Sequence, residues 1–349
     1  MSPALERPDM QAIEVTEYGD SDALEVTERE KPEPGPGEVR IAVEAAGINF
    51  ADVMQRRGVY PGGPDAPYVP GMEAAGTVDA AGEGVGLDEG DRVVAMLGGG
   101  GYAEYVTANA QMLFPIPEGM SFEEAAGFPV QFLTAHCCLF GWGGLEEGDG
   151  AATAANPERA SGRAERVLIQ AAAGGVGTAA VQLASNAGAE VFGTASTQEK
   201  LDLAADLGCD HPIQYTDVDF RDVVDEETDG EGVDLVLESV GDDVFDRSLD
   251  AMAHFGRLVT YGVASGVPAS AENRRLLFEN KSVHGFHLGQ ASSHDPSRVM
   301  AAVPDLTSGF ESGDLEVIVG ETFPLADAAE AHQFIEDRES QGKVVLVPE

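Results

Sequence analysis

The chain has 349 residues, and its 62 acidic against 20 basic side chains give a formal net charge of −42. This length suits two domains with ample apolar core. No apolar run reaches the roughly 18 residues that a membrane span needs, and the N-terminus lacks the basic and apolar segments of a signal peptide. Three cysteines make neither a disulfide framework nor a zinc cluster, so we expect a cytoplasmic protein with reduced thiols, and so negative a chain is not expected to bind nucleic acid.

The negative charge is scattered along loops and helix faces, as in residues 217–229, rather than gathered in one tail. Such a surface repels itself in dilute buffer, whereas in molar salt the Debye length falls to about 3 Å and screens the repulsion. Together with the scarcity of lysine, this pattern predicts a protein of an extreme halophile. A surface for a basic partner is the alternative, although that would normally concentrate the acid in one patch.

Residues 1–131 predict a compact, partly open β-barrel, because short alternating apolar runs are separated by glycine and proline. The expected strands are Gln11–Val15, Glu38–Glu44, Ala75–Ala81, Asp91–Met96 and Tyr102–Val106. Ser121 followed by Glu124 has the spacing of a capping box and predicts a helix over Ser121–Phe128. Residues 149–164 are small, polar and aperiodic, and they predict a surface insertion.

The stretch from Val167 predicts the opening of a dinucleotide-binding unit. An apolar strand, Val167–Gln170, leads through a glycine-rich turn into a helix. Ala172, Gly174 and Gly177 take the three small-residue positions, and the N-terminus of the helix would face phosphates. A purely structural strand–helix turn is the alternative. The residues expected to cradle a pyrophosphate are Gly174, Gly175, Val176 and Gly177.

Further strands and helices alternate after this turn, which predicts a parallel, doubly wound sheet. The expected elements are Ala189–Thr194, Gln198–Leu207, Val233–Leu237, Val244–Met252 and Gly256–Gly262. From residue 289 onward we expect a return to the first domain. The elements of that part are two helices, Asp295–Ser308 and Leu325–Arg338, and a strand, Lys343–Val347.

The end of the second strand of this sheet indicates a preference for NADP(H). NAD-preferring proteins carry a carboxylate there, whereas this chain has Thr194, Ala195 and Ser196, with Lys200 one turn into the next helix. Hydroxyls and an ammonium suit a 2′-phosphate. A solvated helix lysine is the alternative, but the chain has only four lysines.

Blocks of sequence spread over nearly the whole chain resemble the zinc-free quinone oxidoreductases of the medium-chain dehydrogenase/reductase superfamily. The blocks are Ala46–Pro61, Pro70–Val78, Gly90–Val93, Ala171–Gly177 and Gly342–Val347. Four further segments are most similar to the vesicle-amine-transport branch of that family: Thr194–Ser196, His211–Ile213, Val259–Gly262 and Gly285–Gly289. Only residues 149–164 lack a counterpart.

The resemblance implies an α/β fold of two domains with NADPH in the cleft between them. A GroES-like catalytic domain would span residues 1–131, a Rossmann domain 132–288, and residues 289–349 would return to the catalytic domain. It also implies a homodimer formed through the Rossmann sheets.

The resemblance further implies the residues of the site. Asn49, Met54 and Thr134 would lie on the catalytic side, with the Val130–Gln131 turn and Thr134 facing the nicotinamide. Met54 stands where several relatives have Tyr, so a phenol donor is absent. Besides the glycine-rich turn, the cofactor-binding set comprises Thr194, Ser196, Lys200, Tyr215, Gly241, Tyr261, Gly262, Phe286, His287, Leu288 and Arg338.

No zinc is expected. The zinc-dependent pattern has Cys where this chain has Gly47 or Ile48, and His-Glu where it has Met72 and Glu73. Methionine is a poor zinc ligand, and one carboxylate cannot hold the metal. A quinone needs no Lewis acid, because the hydroquinone anion that hydride transfer produces is delocalised, and Asn49 could hydrogen-bond the acceptor oxygen. The expected activity is therefore NADPH:quinone reduction; the alternatives are an enone or 2-alkenal reductase and a non-catalytic NADPH-binding protein.

Overall fold

The computed structural model describes residues 9–146 and 163–349, so nearly all of the predicted 149–164 insertion lies outside the described residues. Within these ranges there are fifteen strands and twelve α-helices. The strands are β1 (Asp9–Val15), β2 (Leu24–Glu30), β3 (Glu38–Ile48), β4 (Glu73–Ala81), β5 (Arg92–Met96), β6 (Tyr105–Asn109), β7 (Leu113–Pro115), β8 (Arg166–Ile169), β9 (Glu190–Ala195), β10 (His211–Gln214), β11 (Val233–Glu238), β12 (Met252–Thr260), β13 (Ser282–Gly285), β14 (Val319–Pro324) and β15 (Lys343–Val347). The helices are α1 (Phe50–Arg56), α2 (Phe122–Ala126), α3 (Pro129–His136), α4 (Gly175–Asn186), α5 (Gln198–Asp206), α6 (Phe220–Glu227), α7 (Asp242–Ala251), α8 (Asn273–Glu279), α9 (Leu288–His294), α10 (Pro296–Met300), α11 (Val303–Ser312) and α12 (Ala328–Glu336).

The described residues form two compact units. The first comprises the residues up to Val130 together with Val317–Glu349, and the second runs from Gln131 to Glu316. The chain therefore returns to the first unit at residue 317, whereas the sequence analysis placed the return at 289. The boundary between the units falls within α3.

Residues 289–316 belong to the second unit because their apolar side chains are buried in it. The ring of Phe310 meets that of Phe132 edge-on, with centroids 4.9 Å apart. The guanidinium of Arg298 lies 3.8 Å from the centre of the Trp142 ring. Val299, Ala302 and Leu306 are buried as well. Short helices with one apolar face each give no sequence signal of which domain they cover.

The second unit contains a six-stranded parallel sheet in the order β10-β9-β8-β11-β12-β13. Counted from its own first strand, this is the order 3-2-1-4-5-6, in which the connections reverse direction between β8 and β11. The central strands carry near-continuous apolar runs because both faces of the sheet are covered by helices. Fully buried examples are Leu168, Phe192, Val236 and Leu258. The predicted doubly wound sheet is confirmed.

The first unit is built on a seven-stranded sheet in the order β14-β15-β3-β4-β5-β7, with β6 also pairing with β3. The pairs are antiparallel except for β14 with β15. Strands β1 and β2 form a separate antiparallel pair. The capping box before α2 is present, since Ser121 Oγ accepts from Glu124 N at 3.1 Å and Glu124 Oε2 accepts from Ser121 N at 2.7 Å. No helix in residues 9–146 and 163–349 combines the length and apolar content that a bilayer crossing requires.

Candidate active site

The glycine-rich turn joins β8 to α4. Gly174 is the N-cap of α4, and the first i→i−4 bond of the helix runs from Thr178 N to Gly174 O at 2.8 Å. The amides of the first turn precede that bond, so they are available to an anion. A Cβ on Gly177 would lie 2.1 Å from Ala171 O, which means that only glycine lets the helix approach the strand this closely.

Cofactor-binding residues predicted for the second unit follow successive strands. In a parallel sheet the carboxyl ends of all strands meet at one edge, where α/β proteins bind ligands. The residues that follow strand ends are the Gly174–Gly177 turn after β8, Ser196 after β9, Tyr215 after β10, Gly241 after β11, Tyr261 and Gly262 after β12, and Phe286 after β13. The structure therefore brings most of the predicted set to a single edge.

Thr194 holds the glycine-rich turn in place. Its side chain is buried, and its hydroxyl donates to Gln170 Oε1 at 2.7 Å and accepts from Ala171 N at 3.3 Å. The carbonyl of Thr194 accepts from Ala172 N at 2.9 Å. The hydroxyl is thus engaged inside the protein, which favours support of the turn over the direct 2′-phosphate contact that the sequence analysis expected.

Ser196 and Tyr215 each follow one of two paired strands, and Lys200 lies in the helix that follows Ser196. The register of β9 and β10 aligns Ala195 with Gln214, so the residues that follow them are neighbours. Lys200 is in the first turn of α5, whose N-cap Thr197 accepts from Lys200 N at 3.4 Å. All three side chains are at least partly exposed. Hydroxyl and ammonium groups are the kinds of donor that a phosphate monoester binds.

Gln131 carries a buried amide that nothing in the described residues satisfies. The side chain is 2% exposed, and neither Oε1 nor Nε2 has a hydrogen-bond partner. Its carboxamide lies against Gly175, where a Cβ would come within 2.8 Å of both Cδ and Nε2. The resemblance implied that the Val130–Gln131 turn faces the nicotinamide, but no signal in the sequence marked this amide.

Glu238, which sequence reasoning missed, fixes the end of β11. Its Oε1 accepts from Val240 N at 2.6 Å and from Gly241 N at 2.7 Å, and burial raises the pKa of the carboxyl. Gly241 has a φ of 79°, and a Cβ there would lie 2.7 Å from Val267 O. A Cβ on Gly262 would lie 3.0 Å from Ser239 O. Both glycines therefore allow close backbone packing at this edge.

The segment after β13 divides into a buried and an exposed part. Phe286 is buried and packs edge-on against Trp142, with centroids 4.8 Å apart. His287 is exposed and is the N-cap of α9, with Nδ1 accepting from Gln290 N at 3.1 Å, and Leu288 opens that helix. Two other predicted site residues of the second unit lie on different elements. Thr134 is buried on α3. Tyr261 follows β12, and burial raises the pKa of its hydroxyl.

In the first unit, the partly exposed Asn49 forms a polar cluster with the buried Glu73 and Lys343. Lys343 is 1% exposed, and its ammonium donates to Asn49 Oδ1 at 2.8 Å and to Glu73 Oε1. Asn49 Nδ2 donates to Glu73 Oε1 at 2.9 Å. Glu73 Oε2 accepts from Val130 N at 2.8 Å. Both ends of the Asn49 amide and both oxygens of Glu73 are therefore engaged.

A second buried carboxylate, Asp52, accepts a hydrogen bond from the backbone of Asn49. Its Oδ2 accepts from Asn49 N at 2.8 Å, and Tyr102 OH lies 3.4 Å from the same oxygen. Burial raises the pKa of Asp52 to about 7. Tyr102 OH also lies 3.1 Å from His332 Nε2, and burial lowers the pKa of His332 to about 3. This chain of contacts ties α1 to α12.

Two predicted site residues of the first unit lie outside these clusters. Met54 is partly buried on α1, and Arg338 is exposed just beyond the C-terminus of α12 with a φ of 61°. Their assignments stay predictions.

Comparison with known proteins agrees with this geometry. Residues 35–118 match a family model described as the alcohol dehydrogenase GroES-like domain, and residues 175–305 match one described as zinc-binding dehydrogenase. A quinone oxidoreductase of Pseudomonas aeruginosa is 35% identical over 339 residues, covering 96% of this chain and 99% of that protein. The mouse (Mus musculus) synaptic vesicle membrane protein VAT-1 homolog is 34% identical over 361 residues, covering 98% of this chain and 84% of that protein. The structure of Escherichia coli quinone oxidoreductase complexed with NADPH has a TM-score of 0.87 and 32% identity, covering 97% of this chain and 100% of that chain.

The chain belongs to the zinc-free quinone oxidoreductase family of the medium-chain dehydrogenase/reductase superfamily. The zinc-dependent pattern has a cysteine at the position of Gly47 or Ile48, so the space around Gly47 shows whether that zinc ligand would fit. A Cβ on Gly47 would lie 2.2 Å from Ala126 O and 2.6 Å from Lys343 Cε, so a cysteine does not fit there without displacing its neighbours. Within the part of the chain that the structure describes, no group of three or more His, Cys, Asp or Glu side chains could hold a metal ion.

Proposed function

We propose that this quinone oxidoreductase homologue is an NADPH:quinone reductase that works without zinc. The observation that carries the proposal is the contact of the Lys343 ammonium with Asn49 and Glu73. The Lys343 ammonium places a positive charge beside Asn49 and orients the Asn49 amide. Both oxygens of Glu73, the carboxylate that a metal would need, already accept hydrogen bonds. The acceptor must then take up hydride without a Lewis acid, which a quinone does.

NADPH is the cofactor that the edge of the parallel sheet fits. The first turn of α4 offers amides to a diphosphate, and Ser196, Lys200 and Tyr215 offer two hydroxyls and an ammonium to a 2′-phosphate. The relative from Escherichia coli is complexed with the same cofactor. When bound, NADPH supplies the hydride for the reaction.

Asn49 is the residue that we propose binds the acceptor. Its Oδ1 accepts from Lys343, so the orientation of the amide is fixed and Nδ2 is held as a donor. One N–H of Nδ2 points to Glu73, and the other donates to a carbonyl oxygen of the quinone. The anion that the acceptor becomes is delocalised over the ring and takes its proton from solvent once it has left the site. The protein's contribution is to position a flat acceptor and to exclude water.

Steady-state NADPH oxidation with 1,4-benzoquinones and with 2-alkenals, run side by side in molar KCl, tests the proposal. We expect turnover of the quinones, and a lower kcat in Asn49→Ala with an unchanged dissociation constant for NADPH. Turnover of alkenals alone would replace the proposal by a double-bond reductase. Binding of NADPH without turnover of either substrate would replace it by a non-catalytic NADPH-binding protein.

A further inference from the structure

We propose that the Gln131 carboxamide is a direct ligand of the cofactor, with Nε2 donating to the diphosphate. The inference rests on the proposed function in one respect, namely that the chain binds NADPH. It adds a side-chain ligand to the backbone amides of α4.

The first observation is that the amide of Gln131 is buried and unsatisfied. Only 2% of the residue is exposed, and neither polar atom of its carboxamide has a partner among the described residues. A buried donor or acceptor without a partner costs about 1–3 kcal/mol, and nearly all such groups in folded proteins are paired. An amide that is orphaned at both ends is therefore the signature of a missing partner.

The second observation is where this amide lies. The Cβ position of Gly175 is 2.8 Å from Gln131 Nε2 and 3.2 Å from Oε1, so the carboxamide rests on the first residue of α4. That helix is 12 residues long and begins at the glycine-rich turn. The first turn of that helix has N–H groups that favour an anion. Because neither atom of the Gln131 amide reaches the surface, the side chain must turn toward this site when a ligand binds.

The chemistry of a dinucleotide matches both ends of the amide. Diphosphate oxygens accept from the N–H groups of Nε2, and ribose hydroxyls donate to Oε1. A simple anion would satisfy only Nε2.

The contact with the Gln131 carboxamide explains why residue 175 is a glycine. Its φ is not in the left-handed region, so its backbone conformation does not require glycine. A Cβ at this position would overlap the Gln131 carboxamide, and the side chain would be pushed away from the turn. Gly175→Ala is therefore expected to reproduce the effect of losing the Gln131 amide.

Gln182, on α4, provides a matched control for Gln131 on α3. It is also buried, at 5% exposure, but its Nε2 donates to Thr178 O at 3.1 Å and to Glu316 O at 3.0 Å. Its Oε1 accepts from Glu316 N at 2.8 Å. An amide that is fully paired within the protein stabilises the fold, whereas an orphaned amide does not.

The experiment measures the dissociation constants of three nucleotides for the wild type, Gln131→Leu and Gln182→Leu by isothermal titration calorimetry in molar KCl. NADPH and 2′-phospho-ADP-ribose both contain the diphosphate, whereas adenosine 2′-monophosphate carries only the 2′-phosphate. We expect Gln131→Leu to bind the first two about tenfold more weakly and adenosine 2′-monophosphate within about twofold of the wild type. The Tm of the nucleotide-free Gln131→Leu protein should not fall, while Gln182→Leu should lower Tm and leave the three affinities nearly unchanged.

Two results would overturn the inference. Unchanged affinity of Gln131→Leu for NADPH and 2′-phospho-ADP-ribose, or an equal loss for adenosine 2′-monophosphate, would show that the amide is only structural. A wild-type protein that binds none of the three nucleotides would remove the proposed function together with this inference. Because the wild-type titration is read first, the two failures are distinguished.

Discussion

The ammonium of Lys343 lies 2.8 Å from Oδ1 of Asn49, although the two residues are 294 positions apart in the chain. Lys343 opens β15 and Asn49 follows β3, and these two strands pair antiparallel with Val344 opposite Ile48. The sheet register therefore sets the distance between the ammonium and the amide. A change in either residue should alter both the stability of the unit and the orientation of the amide.

Breaking the ion pair from one side should be more harmful than removing it whole. Lys343→Met leaves the buried Glu73 carboxylate without its cation, and Glu73→Gln leaves the ammonium without its anion. Each single variant is expected to lose about 3–5 kcal/mol of unfolding free energy, and the double variant less than either single variant. Urea denaturation in molar KCl measures the unfolding free energy of the wild type, the two single variants and the double variant. Strictly additive losses would show that the two charges do not stabilise each other.

Lys200 should decide between the two nicotinamide cofactors. Lys200→Ala is expected to weaken NADPH by about ten- to hundredfold and NADH very little, because only NADPH carries a phosphate for the ammonium. Fluorescence titration with both cofactors gives the ratio. Arg274→Ala, which removes an exposed positive charge from the same unit, is the control and should leave that ratio unchanged. Equal losses for NADPH and NADH in Lys200→Ala would remove the assignment.

Asp52 should make the stability of the protein depend on pH. Burial raises its pKa to about 7, against about 3.9 in an unfolded chain, with Glu73 raising and Lys343 lowering the folded value. Between these values the folded protein holds a proton that the unfolded chain has lost, so the stability that Asp52 contributes falls as pH rises from about 4 to about 7 and then levels off. Asp52→Asn cannot titrate and therefore lacks this pH-dependent contribution to stability. Relative to the wild type, it should gain about 3 kcal/mol of unfolding free energy between pH 5 and pH 8. Parallel stability curves for the two proteins would contradict the assignment.

The acidic composition predicts a strong dependence on salt. Sixty-two carboxylates repel one another when screening is weak, and folding brings them onto compact surfaces. At molar KCl the screening length is about 3 Å, so this repulsion is largely removed. Denaturation midpoints measured from 0.1 M KCl upward should rise steeply. A midpoint that stays flat or falls would mean that the acid serves another purpose.

The parallel sheet and its glycine-rich turn could be predicted from sequence because their signals are local. The run from Val167 to Gly177 contains the strand, the turn and the helix start within a few residues, and the capping box at Ser121 and Glu124 spans a single turn. In contrast, α6 was not predicted as an element. Phe220, Val223 and Val224 do have helical spacing, but they are the only apolar residues of the eight and four others are acidic, so the segment reads as a charged surface stretch.

The clusters around the site could not be read from the chain, because they depend on contacts between distant strands. Nothing local connects Lys343 to Asn49 and Glu73, although a lysine that precedes four apolar strand residues is a signal of burial. The internal use of the Thr194 hydroxyl likewise follows from the pairing of β9 with β8, which brings it to Gln170. The orphaned amide of Gln131 is visible only once α3 and α4 are placed.

Turnover by metal-stripped protein is the most direct test of the central claim. The protein is treated with a chelator, its zinc content is measured by elemental analysis, and kcat/KM for 1,4-benzoquinone with NADPH is determined before and after treatment in molar KCl. We predict substoichiometric zinc and an unchanged kcat/KM, because Lys343 already supplies the cation beside Asn49 and Glu73. Stoichiometric zinc, together with activity that is lost on its removal and restored on its return, would contradict the account.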